Sequence, residues 1–325
     1  MTSYWRYALN VVISLCILVF LFTRVPFEQI IEIVRQSRSD LFFLAFLAGV
    51  LSLLVSAWRW QILLRVLDYQ YDLKMLAKLS FMAFFYNNFL PGGVAGEVAR
   101  VAMLPEDKNS KIDRQTHLMR ITASVVTDRV VGMIGIMLLA FMGFLFSRHL
   151  LTNSKIMFLF GLLTFGILSV FAVLFSRRIQ LWVKTIFAYP LRILSPVQTI
   201  FRDVTESLFV YRDNYNVFMK VIPLSIFANF WVVVYFFLLA RSIYIPIGFF
   251  RLLVFVPFIE FISTIPVSLS GVGIREAMTI LLFSSEGFTA AQAIAVSLLT
   301  FLVLLMLGAV GGILFLFRKT LLRPS

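Results

Sequence analysis

The sequence predicts an all-α polytopic membrane protein, an inverted repeat with about six full spans and two opposed re-entrant helical hairpins. Three observations predict it. Of 325 residues, 61% are apolar and only 14% charged, with a mean hydropathy of +0.95; an ordinary soluble domain is about 45–50% apolar and about 25% charged. The apolar residues come in long runs without the alternation of barrel strands, and only helices or closed barrels satisfy their backbone in lipid. Two further apolar runs are half the length of a span, and each is cut by a Pro- and Gly-rich break.

A span needs about 20 apolar residues. Full-length candidates are 8–22, 41–58, 121–146, 156–175, 221–240 and 290–317. The first is extended by Tyr4 and Trp5, interfacial aromatics. No small-residue cleavage site precedes Thr23-Arg24-Val25-Pro26, so it reads as a signal anchor. Residues 26–40 carry Phe27, Ile30, Ile31 and Val34 at helical spacing and read as an interfacial helix. A basic amphipathic segment, 177–220, intersperses its cations with Trp182, Phe187, Leu191 and Leu194. The whole chain, 1–325, reads as one transmembrane domain with repeat halves of about 1–146 and 156–317.

The half-length runs are 76–87 followed by 94–104, and 252–265 followed by 274–283. About 12 residues of helix reach about 18 Å, half a bilayer core. Pro removes a donor and Gly interrupts the helix, so both are helix–break–helix units. Charge tests the topology. The net charge of +13 would suggest nucleic acid in a soluble protein; here basic loops hold cytoplasmic ends, and no nucleic acid is expected. With both units re-entrant, the cations of 59–120, 177–220 and 318–323 lie inside, Arg59 among them as a cation following the span 41–58. A full crossing by the first unit would turn the most basic loop outward, against the positive-inside rule. The breaks also rhyme: Gly93-Val94-Ala95-Gly96-Glu97-Val98-Ala99-Arg100 against Gly271-Val272-Gly273-Ile274-Arg275-Glu276.

Half-helices beginning at Val94 and Ile274 would offer unpaired N–H groups and a positive dipole end to a phosphate or carboxylate. Gly92, Gly93 and Gly96, with Ser270, Gly271 and Gly273 in the second break, would let a headgroup approach the backbone. Glu97 with Arg100, and Arg275 with Glu276, either serve that ligand or complement the helix starts. Asp128-Arg129 lies inside a span, where one such charge costs about 2.5–3.5 kcal/mol. Adjacent residues point about 100° apart, so Arg129 should face a carboxylate elsewhere, with Glu97 the candidate. A wet cavity and a buried structural ion pair both fit that pairing. Glu260, between Pro257 and Pro266, falls under the same suspicion. Asn87 and Asn88 either bond a headgroup or cap the break, capping being favoured. His117 and His149 fall at span ends, where interfacial solvation is expected. With Cys16 the only cysteine, no metal and no cofactor is expected.

The run Asn87-Asn88-Phe89-Leu90-Pro91-Gly92-Gly93-Val94-Ala95-Gly96-Glu97-Val98-Ala99-Arg100, the Asp128-Arg129 span, and Pro266-Val267-Ser268-Leu269-Ser270-Gly271-Val272-Gly273-Ile274-Arg275-Glu276-Ala277 together resemble the lysylphosphatidylglycerol synthase transmembrane, flippase-like family. Members that move lysyl-phosphatidylglycerol carry a soluble aminoacyl-transfer domain after the membrane part. This sequence ends at Ser325 and so resembles the stand-alone members, whose proposed substrates are lipid or polyprenyl-linked. Glu97 departs from the pattern, standing where many relatives carry Asp.

The leading expectation is a flippase or scramblase-like transporter of the inner cell membrane, with both termini cytoplasmic. An anionic membrane lipid would be its partner, a homodimer remaining open. Arg100, Arg129 and Arg275 would hold the phosphate. The sequence has no Gly-x-x-x-x-Gly-Lys-Ser/Thr motif, so a proton or the lipid gradient would supply energy, with Glu97, Asp128 and Glu260 the protonatable groups. The alternatives are a membrane-embedded glycosyl or aminoacyl transferase, or a carrier of a small solute. A transferase is disfavoured because Glu28, Glu32 and Asp40 in the first outer loop are separated.

Overall fold

The computed structural model describes residues 27–89, 95–105, 114–146, 158, 161, 211, 214, 216–263 and 273–317. Regular structure among them is helical. The helices are α1 (Phe27–Arg35), α2 (Ser39–Val66), α3 (Leu73–Phe89), α4 (Ala95–Met103), α5 (Arg114–Phe146), α6 (Asn216–Ser242), α7 (Phe249–Ser263), α8 (Ile274–Ser284) and α9 (Ala290–Leu316). Four of them, α2, α5, α6 and α9, are long and apolar enough to cross a membrane. At 1.5 Å per residue the 28 residues of α2 reach about 42 Å, more than a core of about 30 Å. Phe43, Leu47, Leu51, Leu54 and Trp58 of α2 are exposed, an apolar face that only lipid or another apolar surface can cover.

The order long–short–short–long occurs twice, in α2–α5 and in α6–α9. The connections after the two leading helices match in detail. Past Val66 the chain turns through Asp68 at φ 66°, and the Tyr69 N–H returns to the Leu64 carbonyl. Past Ser242 it turns through Tyr244 at φ 62°, and the Ile245 N–H returns to the Ala240 carbonyl. A left-handed residue just after the helix with a six-to-one bond is the Schellman way of satisfying its last carbonyls. Both connections then lead into the next helix over the same number of residues.

Helix packing crosses between these sets. α2 lies along α6, α3 against α9, and α7 against α5. Glycines permit the two crossed contacts. A Cβ at Gly143 of α5 would lie 2.8 Å from the Leu253 backbone of α7. A Cβ at Gly311 of α9 would overlap the Phe81 carbonyl of α3. Small residues that let backbones approach drive such association where lipid removes the hydrophobic incentive. The main core gathers Phe236, Phe255, Ile259, Phe283 and Val296; a second gathers Trp60, Leu63, Leu76, Ile121 and Val221.

Of the half-length runs, 76–87 and 274–283 lie in longer helices, 94–104 is observed as the shorter α4, and 252–265 is shifted to α7, Phe249–Ser263. The run 76–87 lies in α3, which reaches from Leu73 to Phe89, because Asn87, Asn88 and Phe89 continue the helix. Within the segment 26–40 a helix forms over Phe27–Arg35, α1, with Ile30 buried and Ile31 exposed, and Ser39 and Asp40 already belong to α2. The expected span 8–22, both breaks (90–94 and 264–272), and most of 156–175 and 177–220 lie outside the described residues.

Gly311→Val should lower the thermal midpoint of the detergent-purified protein, in keeping with the roughly 1–3 kcal/mol of an overpacked site. Gly248→Ala, where nothing lies within 4 Å of the added carbon, should leave it unchanged.

Candidate functional site

Charged side chains gather in two clusters, one on α2, α4 and α5 and one on α7 and α8, each next in sequence to a Pro- and Gly-rich stretch. In the first, Asp128 on α5 accepts from two guanidiniums. Arg59 Nε of α2 donates to Oδ1 at 2.7 Å, and Arg100 of α4 donates to Oδ2 at 3.0 Å. Asp128 and Arg59 are buried. Arg59 also donates to Ser225 Oγ of α6 at 2.8 Å, and that hydroxyl in turn donates to the Val131 carbonyl at 2.8 Å. Gly132 leaves the lane in which the Arg59 guanidinium lies, about 3.5 Å from where a Cβ would stand. Arg100 spreads over the Trp60 ring with 5.0 Å to its centroid, and Trp60 Nε1 donates to Ser124.

One helical step from Asp128, Arg129 points to another side and donates to Glu97 Oε1 of α4 at 3.2 Å, the pairing the sequence suggested. Among the described residues, Glu97 Oε2 has no hydrogen-bond partner. Three guanidiniums therefore share two carboxylates among the described residues of this cluster. α4 is held to α3 by the Gly96 N–H, which donates to Asn87 Oδ1 at 2.7 Å, so Asn87 does cap the break. A Cβ at Gly96 would lie 2.7 Å from the Asn87 carboxamide, which excludes larger residues there. Asn88 Nδ2 donates instead to the Leu304 carbonyl of α9 at 3.2 Å.

The second cluster lies at the start of α8. Gly273 has φ 89°, a left-handed conformation that glycine adopts without strain, and its N–H donates to the Glu276 carboxylate. Glu276 also accepts from Ser297 Oγ of α9 at 2.7 Å and from Arg275 at 3.3 Å. Arg275 is buried, with Ser297 at 3.3 Å and the Phe301 ring at 5.8 Å. Glu260 of α7 accepts from the Tyr235 hydroxyl of α6 at 3.3 Å. The N–H groups of Gly96 and Gly273, expected to face a ligand, are thus already engaged by the protein's own caps.

The chain matches the family described as lysylphosphatidylglycerol synthase TM region over residues 7–312, nearly its whole length. The chain belongs to this family. No curated protein matches it. As a lysylphosphatidylglycerol synthase TM region, it is an integral membrane protein with a lipid-related role.

Of the sequence-predicted residues in this family member, Asn87, Gly96, Glu97, Arg100, Asp128 and Arg129 come together, and so do Gly273, Arg275 and Glu276, with Glu260 close enough for Arg275 to act on it. Asn88 turns away to α9; Gly92, Gly93, Ser270 and Gly271 lie outside the described residues. Arg59, expected to follow the span as a loop cation, is instead a buried partner of Asp128 within α2, because that helix continues through Ile62, Leu63 and Leu64 to Val66. That apolar continuation was the available signal. Ser225, Ser297 and Tyr235 gave none, being common residues in apolar helices. His117 is also corrected: it is buried with Nδ1 3.1 Å from the Tyr69 hydroxyl, since α5 starts at Arg114 and carries it into the core. His149 lies outside the described residues. No three His, Cys, Asp or Glu side chains converge as metal ligands among the described residues. An open polar cavity of about 570 Å³ is lined by Gln61, Arg65, Asp68, Gln70, Tyr71 and Asp72, away from every predicted site residue in sequence.

Removing one partner of a buried ion pair costs about 3–5 kcal/mol because the other charge is left bare. Asp128→Ala bares two guanidiniums, whereas Arg100→Ala leaves Asp128 with Arg59. Asp128→Ala should therefore depress the thermal midpoint further than Arg100→Ala, and Asp128→Glu should recover part of the loss.

Proposed function

We propose that this protein is a lipid transporter of the flippase or scramblase type, moving an anionic phospholipid or polyprenyl-phosphate-linked headgroup across the inner cell membrane. The observation that carries the reading is the surplus positive charge at the first break. Among the described residues, the carboxylates that Arg59, Arg100 and Arg129 face are Asp128 and Glu97. A lone charge in the bilayer is costly, and a phosphate arriving on its lipid would balance it. Arg59 is sealed in by Asp128 and Ser225. Arg100 and Arg129 keep part of their side chains accessible, 15% and 33%, and are the groups that would meet the phosphate. Arg275, engaged by Glu276 and Ser297, would hold the second hairpin in shape.

The route follows from an inverted repeat, with α2–α5 and α6–α9 as its units and α3–α4 and α7–α8 as re-entrant hairpins. The equal order of helix lengths, the matched turns at Asp68 and Tyr244, and the crossed contacts at Gly143 and Gly311 support it. Two hairpins opening to opposite faces would let the headgroup pass between them while the tails stay in lipid. The basic segment and both termini would then lie in the cytoplasm.

Fluorescent anionic lipid in proteoliposomes should change leaflets with the protein present. Losing a charged hydrogen bond costs about 1.5–3 kcal/mol, so Arg129→Ala and Arg100→Ala should each slow transfer roughly tenfold to a hundredfold. Unchanged rates in both variants would overturn the reading.

A further inference from the structure

We propose that Glu260 is a proton-binding site, and that its proton couples an ion gradient to the lipid movement inferred above; the coupling rests on that transport reading, whereas the proton site stands by itself. Glu260 lies near the end of α7, three residues before Ser263 and the second break. Among the described residues its hydrogen-bond partner is a neutral donor, the Tyr235 hydroxyl, at 3.3 Å. The neighbouring cation is otherwise engaged. Arg275 donates to Glu276 and to Ser297, and Glu276 takes the Ser297 hydroxyl and the Gly273 N–H as well. Glu276 is thus fully compensated, and Glu260 is not.

Among the described residues, the surrounding elements offer no further charge. α7 packs against α5, α6 and α8. From α6 comes the Tyr235 phenol, and from α8 come Arg275 and Glu276. The part of α5 that meets α7 is the Gly143 end, and residues 130–146 of α5 carry no ionisable side chain. On α7 itself Arg251 pairs with Glu286, and α9 carries no charged residue from Ala290 to Leu316. One guanidinium therefore faces two carboxylates in this cluster. The first cluster is the reverse, with one cation in surplus. A bound anionic headgroup would neutralise the first, and a proton would neutralise the second.

The balance is simple. A proton from water forms an O–H bond on the Glu260 carboxyl, the Tyr235 hydroxyl keeps its bond to a carboxyl oxygen, and release returns the proton to water. Exchange needs access, and here the two acids differ. Glu276 is 5% exposed and sealed, while Glu260 is only partly buried. A proton also changes the charge near the end of α7.

Infrared spectra of the full-length protein in lipid, recorded in water and in deuterium oxide, test the site directly. A protonated-carboxyl band that shifts on deuteration should be present at neutral pH and absent from Glu260→Gln. If Glu260→Gln leaves that band intact, the proton site is wrong. Should Glu260→Gln fail to fold, Glu260→Asp serves instead: the band should move, and an unmoved band overturns the proposal. In proteoliposomes, an imposed pH gradient should speed transfer of fluorescent anionic lipid at least about fivefold, and Glu260→Gln should lose that response. A response that survives in Glu260→Gln, or one that follows sodium instead of protons, overturns the coupling. No transfer by the unaltered protein would remove the transport reading and the coupling with it, and the infrared band would still decide the proton site.

Discussion

Asp128 holds two guanidiniums that arrive on different helices, and much of the first half of the molecule is arranged around that carboxylate. Arg59 reaches it from α2 and Arg100 from α4, while α5 carries the acid itself. The Ser225 hydroxyl on α6 ties Arg59 to the second set of helices as well. Four helices are thereby fixed by one group. In lipid, where apolar contact between helices gains little over contact with acyl chains, such polar ties and close backbone approaches position helices. The same carboxylate cannot serve Arg129, one helical step round, which is why Glu97 is required and why α4 must sit where it does.

The scaffold around this carboxylate depends on absence of side chains as much as on their presence. Gly132 leaves space for the Arg59 guanidinium, Gly135 for Ser225, and Gly96 for Asn87. Each glycine lies where a polar side chain from another helix or segment must pass or dock. The polar network and the tight packing are therefore one arrangement. Enlarging Gly135 or Gly96 would displace a hydrogen-bonding group from its partner, whereas a Cβ at Gly132 would come into ordinary contact with the Arg59 guanidinium. On the proposed reading the surplus guanidinium charge is what a headgroup would find when it arrives, and the glycines are what keep that charge in place.

Much of this was legible in the sequence because it follows from simple constraints. A run such as 121–146 has to be a helix in lipid, and Asp128-Arg129 within it has to find partners, since neighbours on a helix diverge by about 100°. That reasoning reached the Arg129–Glu97 pair, and composition alone reached the all-helical membrane class. Arg59 was missed for a definite reason. It follows Trp58 at what looks like the end of a span, and snorkelling cations are common there; only the continuing helix carries it inward. His117 was misplaced by the same kind of boundary error, since apolarity begins at Ile121 but the helix begins at Arg114. Ser225 and Ser297 could not be found at all, because a serine in an apolar helix has the same local pattern whether it bonds its own turn or a guanidinium far away in sequence.

The most direct measurement of the central claim is native mass spectrometry of the lipid that stays with the purified protein. If surplus guanidinium charge shelters a headgroup, the unaltered protein should retain an anionic phospholipid or polyprenyl-phosphate lipid above its share of the membrane. The variant carrying both Arg100→Ala and Arg129→Ala should lose that enrichment. Retained lipid that mirrors the bulk membrane in both proteins would contradict the account.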